Sequence, residues 1–156
     1  MTHNSLPSSP KQFQPYRRRV NFAETDAAGI VHFTNYLKWA EEAEQNFLRN
    51  LGVPLIDRSQ SEVKGWPRIS IEAQYLRPAF FEDFIQVRCT GLKIKGSRIS
   101  YQFEIFRETE TSVEHIANIK MQTVFARIKV NEAGQTELAA CLLSDEILRL
   151  LEPWQL

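Results

Sequence analysis

The feature that most constrains this chain is a change of hydrophobic period partway along it. Between Asn35 and Leu51, the residues Tyr36, Ala40, Ala43, Phe47 and Leu51 recur at steps of three and four. That spacing predicts an amphipathic helix with one apolar stripe. Lys38, Glu41, Glu42, Gln45 and Arg49 fill much of the remaining surface. Thr34 or Asn35 can cap its start, Gly52 stands just past its end, and Pro54 forbids easy continuation.

From Pro67 to Val130 the period drops to two. Ile69, Ile71, Ala73 and Tyr75 alternate with Arg68, Ser70, Glu72 and Gln74, the pattern of a strand. Ile85, Val87 and Cys89 alternate as well, but Leu92 and Ile94 are in the opposite phase. Gly91 sits at the slip, which predicts a bulge there. Lys95-Gly96-Ser97 predicts a tight hairpin, followed by alternation through Ile99, Tyr101, Phe103 and Ile105. A looser turn over Glu108 to Ser112 leads into one last long strand through Ile119, Met121, Thr123 and Phe125, ended by Asn131 to Gly134.

Upstream, Tyr16 to Phe22 reads as a first strand with Val20 and Phe22 on one face, and Ala23 to Gly29 as a turn of small residues. Ser144-Asp145-Glu146 caps a short C-terminal helix carrying Ile147, Leu148 and Leu151. Antiparallel strands beside one segregated long helix imply an α+β architecture, with the sheet wrapped around the Tyr36/Ala40/Ala43/Phe47 stripe. With 156 residues the chain fits one domain, expected over 15–156, and the polar, Ser- and Pro-rich start predicts a disordered tail over 1–14.

Charge excludes some partners. Nineteen basic and nineteen acidic side chains cancel, so the chain as a whole has no strong pull on nucleic acid or an anionic membrane. No apolar run approaches the roughly 20 residues needed to span a bilayer, and the start lacks an apolar signal core. Cys89 and Cys141 each sit among apolar residues and read as reduced thiols, so a cytoplasmic protein is expected. There is no Gly-x-Ser-x-Gly elbow, no phosphate-cradling Gly-rich loop and no Cys/His metal cluster, and His3, His32 and His115 are scattered.

The segment that carries chemistry runs from Glu24 through Thr25, Asp26, Ala27, Ala28 and Gly29 to Tyr36. Taken alone, Asp26 is a carboxylate in a loop before a helix, which favours a turn or capping role over catalysis. The pattern Asp26-x-x-Gly29-Ile30-Val31-x-Phe33-x-Asn35-Tyr36 resembles the active-site signature of the 4-hydroxybenzoyl-CoA thioesterase family of hotdog proteins. Arg68-x-Ser70 and Tyr75-x-x-Pro78-x-x-x-x-Asp83 resemble that family's next strand and turn, so the likeness runs from about Tyr16 to Arg127.

The resemblance implies a hotdog fold and hydrolysis of an acyl- or aroyl-coenzyme A thioester. Asp26 would attack the carbonyl or activate water, and the backbone N–H of Phe33 would stabilise the oxyanion from a helix N-terminus. Gly29 would let the loop bend. A carboxylate needs no partner base near neutral pH, and a thiolate leaves without a strong acid, so no metal and no cofactor is expected beyond the coenzyme A of the substrate. His32 is assigned to the pocket or its packing, Asn35 either orients the Asp26 loop or caps the helix, and Tyr36 belongs to the core stripe. Lys93, Lys95 and Arg98 on the hairpin are candidates for the coenzyme A phosphates, ahead of Arg68 and Arg77. Glu41, Glu42 and Glu44 are read as a solvated helix face.

The resemblance also implies a homodimer or homotetramer, two sheets joining edge to edge with the site between protomers. Two alternatives fit the same fold: a hydratase or dehydratase using Asp26 and His32 on an enoyl-CoA, or a non-catalytic acyl-binding module.

Overall fold

The computed structural model describes residues 13–58 and 62–156. A first strand, β1 (Tyr16–Arg19), precedes the long helix α1 (Phe33–Asn50), and seven further strands follow. These are β2 (Val63–Gly65), β3 (Arg68–Tyr75), β4 (Phe84–Lys95), β5 (Arg98–Glu108), β6 (Val113–Val124), β7 (Ala126–Val130) and β8 (Thr136–Ala140). Helix α2 (Asp145–Leu151) comes last, with the Ser144 hydroxyl accepting from the Ile147 N–H as expected of its cap. Five strands form one antiparallel sheet in the order β1-β4-β5-β6-β3, and β2-β7-β8 form a second, smaller one.

The predicted faces meet in one core. Ile99, Tyr101, Phe103 and Ile105 of β5 are at most 2% exposed, and they share a cluster with Tyr36, Trp39, Ala40 and Leu48 of α1. Burying apolar surface on this scale is the main force holding helix to sheet, about 1.5–3 kcal/mol for each large aliphatic side chain. The bulge falls between Cys89 and Gly91, as the phase slip requires. A Cβ at Gly91 would lie 2.5 Å from Leu156 Cδ1, so the exposed Leu156 side chain packs over the glycine. The Leu156 N–H in turn donates to Leu92 O, so the end of the chain lies along β4.

Four expectations need correction. β1 stops at Arg19, and Phe22 is 73% exposed at the start of a short 3-10 turn rather than on the buried face with Val20. The last long strand is two strands. It breaks at Phe125, whose N–H donates to Ser97 O and whose C=O accepts from the Cys141 N–H, turning the chain from the large sheet to the small one. β2 and β8 were not expected: β2 is three residues long, and β8 is exposed on both faces, so neither shows a period. Finally, the inward residues of β3 are only partly covered, with Ile71 and Tyr75 each 42% exposed, because β3 is an edge strand.

Of the expected tail, residues 1–12 lie outside the described residues. Phe13 stacks its ring 4.7 Å from both Phe47 and Trp154. Among the described residues no helix is long and apolar enough to cross a membrane.

Candidate active site

The Asp26 loop is a small hairpin hung in front of α1. Thr25 and Val31 pair across it, the Asp26 N–H donates to Ile30 O at 2.8 Å, and the Gly29 N–H returns to Asp26 O at 3.0 Å. Closing so tight a turn places Gly29 at φ 79°, a region where a side chain is strained. Val31 fixes the far side by donating to Ala79 O at 2.8 Å. Asp26 Oδ1 accepts from the Ala28 N–H at 2.8 Å. No lysine or arginine among the described residues forms an ion pair with Asp26.

His32 caps α1, in place of the expected Thr34 or Asn35. Its Nδ1 lies 2.8 Å from Thr34 Oγ1 and accepts, at 3.4 Å, from the Thr34 N–H, while the ring packs 4.5 Å from that of Phe33. Phe33 is therefore the first helical residue, and a backbone N–H there has no intrahelical acceptor. Asn35 does not cap. It is 6% exposed, and its Nδ2 donates to Glu24 O at 2.8 Å, tying the helix to the stem of the Asp26 loop.

Asp26 opens on a cavity of about 450 Å³ whose wall includes Ile30, Phe33, Tyr36, Tyr75 and Arg77. The two phenols are engaged. Tyr75 donates to Phe33 O at 2.9 Å, and Tyr36 Oη accepts from the Ala79 N–H at 3.1 Å. Burial raises both above the usual tyrosine value, which keeps them neutral. Tyr36 is both core and wall, which its place in the apolar stripe alone did not reveal. A larger cavity of about 560 Å³ lies between residues 13–17, β4 and the C-terminus, and no Asp, Glu or His lines it. Cys89 borders that space, but burial pushes its thiol up to about 12, far from the reach of a thiolate nucleophile.

The basic hairpin is not beside Asp26 in the same protomer. Lys95 pairs with Arg98 at one end of β4, whereas Val20 and Asp83, next to the Asp26 loop, bond at the other. Roughly 36 Å of extended strand separates the two ends. Lys93, Lys95 and Arg98 are thus remote from the cavity within one chain. Arg68 is committed to Glu44 through two hydrogen bonds, whereas Arg77 lies on the wall of the Asp26 cavity and pairs with Glu114.

Glu44 overturns the expected solvated face. It is 4% exposed, because Tyr36, Ala40, Glu44 and Leu48 share one side of the helix at steps of four. Glu42 also has partners, accepting from Tyr16 Oη at 2.9 Å and Arg18 Nη1 at 2.8 Å, while Glu41 lies 3.5 Å from Arg68. His115 stacks on Phe106 at 4.9 Å, and His3 lies outside the described residues. No group of three or more His, Cys, Asp or Glu among the described residues is arranged to hold a metal ion.

Known proteins are similar to this chain in sequence and fold. A 1,4-dihydroxy-2-naphthoyl-CoA hydrolase of Prochlorococcus marinus strain NATL1A is 30% identical over 121 residues, covering 70% of this chain and 80% of the relative. The structure of a gentisyl-coenzyme A thioesterase aligns with a TM-score of 0.70 at 30% identity, over 86% of this chain and 98% of its own. The 4-hydroxybenzoyl-CoA thioesterase of Pseudomonas sp. strain CBS-3 aligns at 0.72 over 90% of this chain and 99% of its own; at 21% identity that likeness speaks for the hotdog fold. The family model described as the thioesterase-like superfamily matches residues 20–150. That stretch takes in the Asp26 loop, α1 and every strand from β2 to β8, and the chain belongs to the thioesterase-like superfamily.

Proposed function

We propose that the chain hydrolyses an acyl- or aroyl-coenzyme A thioester to the free acid and coenzyme A, with Asp26 as its central catalytic residue. One observation carries the reading: in a chain of this superfamily, a carboxylate with no ion-pair partner among the described residues lies on the wall of a cavity that the first residue of α1 also lines. Asp26 adds to the thioester carbonyl, giving a mixed anhydride that water then cleaves to the free acid, or it takes a proton from a water that adds to the carbonyl directly. The Phe33 N–H, backed by the dipole of α1, receives the negative charge that develops on the carbonyl oxygen. The sulfur leaves as the coenzyme A thiolate. Gly29 holds the turn, His32 and Asn35 hold the helix start, and no metal or further cofactor takes part.

An aroyl group suits the cavity. Phe33, Tyr36 and Tyr75 form edge-to-face pairs, with centroids 5.1 Å apart for Tyr36 and Tyr75 and 6.4 Å for Phe33 and Tyr75. A planar ring entering beside them gains contacts of the same kind, about 0.5–1.5 kcal/mol each beyond area burial. The coenzyme A relatives described above act on aroyl groups by name.

The reading includes a homodimer or higher homo-oligomer in the cytoplasm, with the β3 edges of two copies side by side. Exposed Ile69 and Ile71 on that edge support it, and two free cysteines fit a reducing compartment. Antiparallel pairing of β3 with its copy puts the Arg68 end of one chain against the Tyr75 end of the other. Because Arg68 and Arg98 pair with neighbouring residues of β6, Thr123 and Val124, the partner's hairpin end then approaches the Asp26 cavity. Lys93, Lys95 and Arg98 would meet the coenzyme A phosphates in that way.

The test is thiol release, followed with a thiol-reactive dye, from benzoyl-, hydroxybenzoyl-, dihydroxynaphthoyl- and saturated aliphatic CoA thioesters. At least one aroyl thioester should be hydrolysed, with kcat/KM about tenfold or more above the aliphatic ones. Hydration of an enoyl-CoA without thiol release from any of them would overturn the reading.

A further inference from the structure

We propose that Glu24 is a positioning residue for the reaction, the clamp that fixes Asp26 relative to the start of α1. The proposal rests on the hydrolase reading above. The Asp26 loop hangs from two stems, Glu24 on one side and His32 on the other, and both are fixed at Glu24. Its backbone carbonyl accepts from the His32 N–H and from Asn35 Nδ2, each at 2.8 Å, closing the loop and binding it to α1. Its carboxylate reaches in three directions: Oε1 accepts from Arg18 Nη2 at 2.6 Å and from Trp39 Nε1 at 2.9 Å, and Oε2 accepts from the Asn21 N–H at 2.8 Å.

One residue thereby joins β1, the 3-10 turn, both stems of the loop and the second turn of α1. The setting is largely covered: Trp39 is 0% exposed, and the Arg18 and Glu24 side chains are 13% and 14% exposed. Charge-assisted hydrogen bonds under such cover are short and strong, and losing one partner leaves the other stranded. Arg18 is itself anchored to α1 through Glu42 and lies 5.2 Å over the Trp39 ring, so the clamp is braced.

Glu24 is absent from the cavity wall, so it acts through Asp26 and not on the substrate. That separation has a kinetic consequence. Binding of the acyl group and coenzyme A should be untouched, while the approach of carboxylate to carbonyl, which tolerates little displacement, should suffer.

The test compares Glu24→Gln and Glu24→Ala with the wild type on the best thioester, beside amide hydrogen exchange without substrate. The expected kcat losses are about tenfold for Gln and about a hundredfold for Ala, with KM within about threefold. Exchange should accelerate at the Asp26 and His32 amides while the middle of α1 stays protected. If Glu24→Ala does not fold, Trp39→Phe removes one donor alone and should lower kcat about threefold at constant KM. Unchanged kcat in folded Glu24→Gln and Trp39→Phe overturns the proposal. So does a parallel loss of kcat, KM and protection across the whole molecule, which marks a general defect. If the wild type hydrolyses no thioester the hydrolase reading fails, and the exchange arm still decides whether Glu24 clamps the loop.

Discussion

Glu44 on α1 and Asp26 in the loop before it have opposite surroundings. Glu44, near the middle of the helix, is 4% exposed and held by both Arg68 nitrogens, at 3.1 and 2.6 Å. Asp26, in front of the helix N-terminus, is half-buried, accepts from a backbone N–H and opens on a cavity. Glu44 is enclosed and bound by a guanidinium, and it lies on no wall of the Asp26 cavity. Asp26 forms no ion pair with a lysine or arginine of the described residues, and it shares its cavity wall with Phe33, whose backbone N–H has no intrahelical acceptor. Environment, rather than residue type, separates a structural carboxylate from a reactive one.

The comparison can be broken first at Glu44. Burial raises its carboxyl above the usual value, against the pull of Arg68; burial works against the Arg68 charge, but Glu44 holds that guanidinium higher still. Arg68→Met strands an ionised Glu44 in the core, an expected loss of about 3–5 kcal/mol in urea unfolding at neutral pH. A raised carboxyl binds its proton more readily folded than unfolded. Its stabilising contribution is present below the unfolded value and lost as pH rises through the folded one. The defect should therefore shrink as pH falls into the carboxylate range, and a defect that grows there would contradict this account. The pair Glu44→Met with Arg68→Met, which removes both charges, should recover most of the loss.

A third carboxylate sets the small end of the scale. Glu82 holds φ at 71°, the one non-glycine residue in the left-handed region among those described, and pairs with Arg19 across solvent at 2.9 Å. Glu82→Gly relieves roughly 1 kcal/mol of backbone strain and forfeits an exposed ion pair that contributes no more than that. The expected net change is within about 1 kcal/mol, toward greater stability, with kcat unchanged; a clear destabilisation would show that the Arg19 contact matters more than the strain.

The sequence made the framework legible wherever burial was one-sided. The existence of α1, the bulge at Gly91 and the buried face of β5 follow from period, and the hairpin from its Gly96 turn. The α1 stripe as spaced leaves out Trp39 and Leu48, which are buried, and includes Phe47 and Leu51, which are only partly so. Legibility failed where long-range partners decide. Alternation runs in phase through Phe125, so nothing local marks the corner that Ser97 and Cys141 impose. Glu44 sat in plain view at steps of four from Ala40 and Leu48, but residue type argued for solvent. Asp26 was found through its motif, whereas Glu24, two residues earlier, meets Arg18 and Trp39 only in the fold. Histidine is an uncommon helix cap, so the role of His32 in holding the Thr34 N–H was hidden as well.

The most direct test is Asp26→Asn, which keeps the shape of the side chain, and the acceptor for the Ala28 N–H, while removing the charge. Steady-state hydrolysis of the best aroyl-CoA thioester should show kcat lowered by at least about a hundredfold, a few kcal/mol of transition-state stabilisation, with the urea midpoint nearly unchanged. A folded Asp26→Asn protein that turns over the same thioester at close to the wild-type kcat would contradict the account.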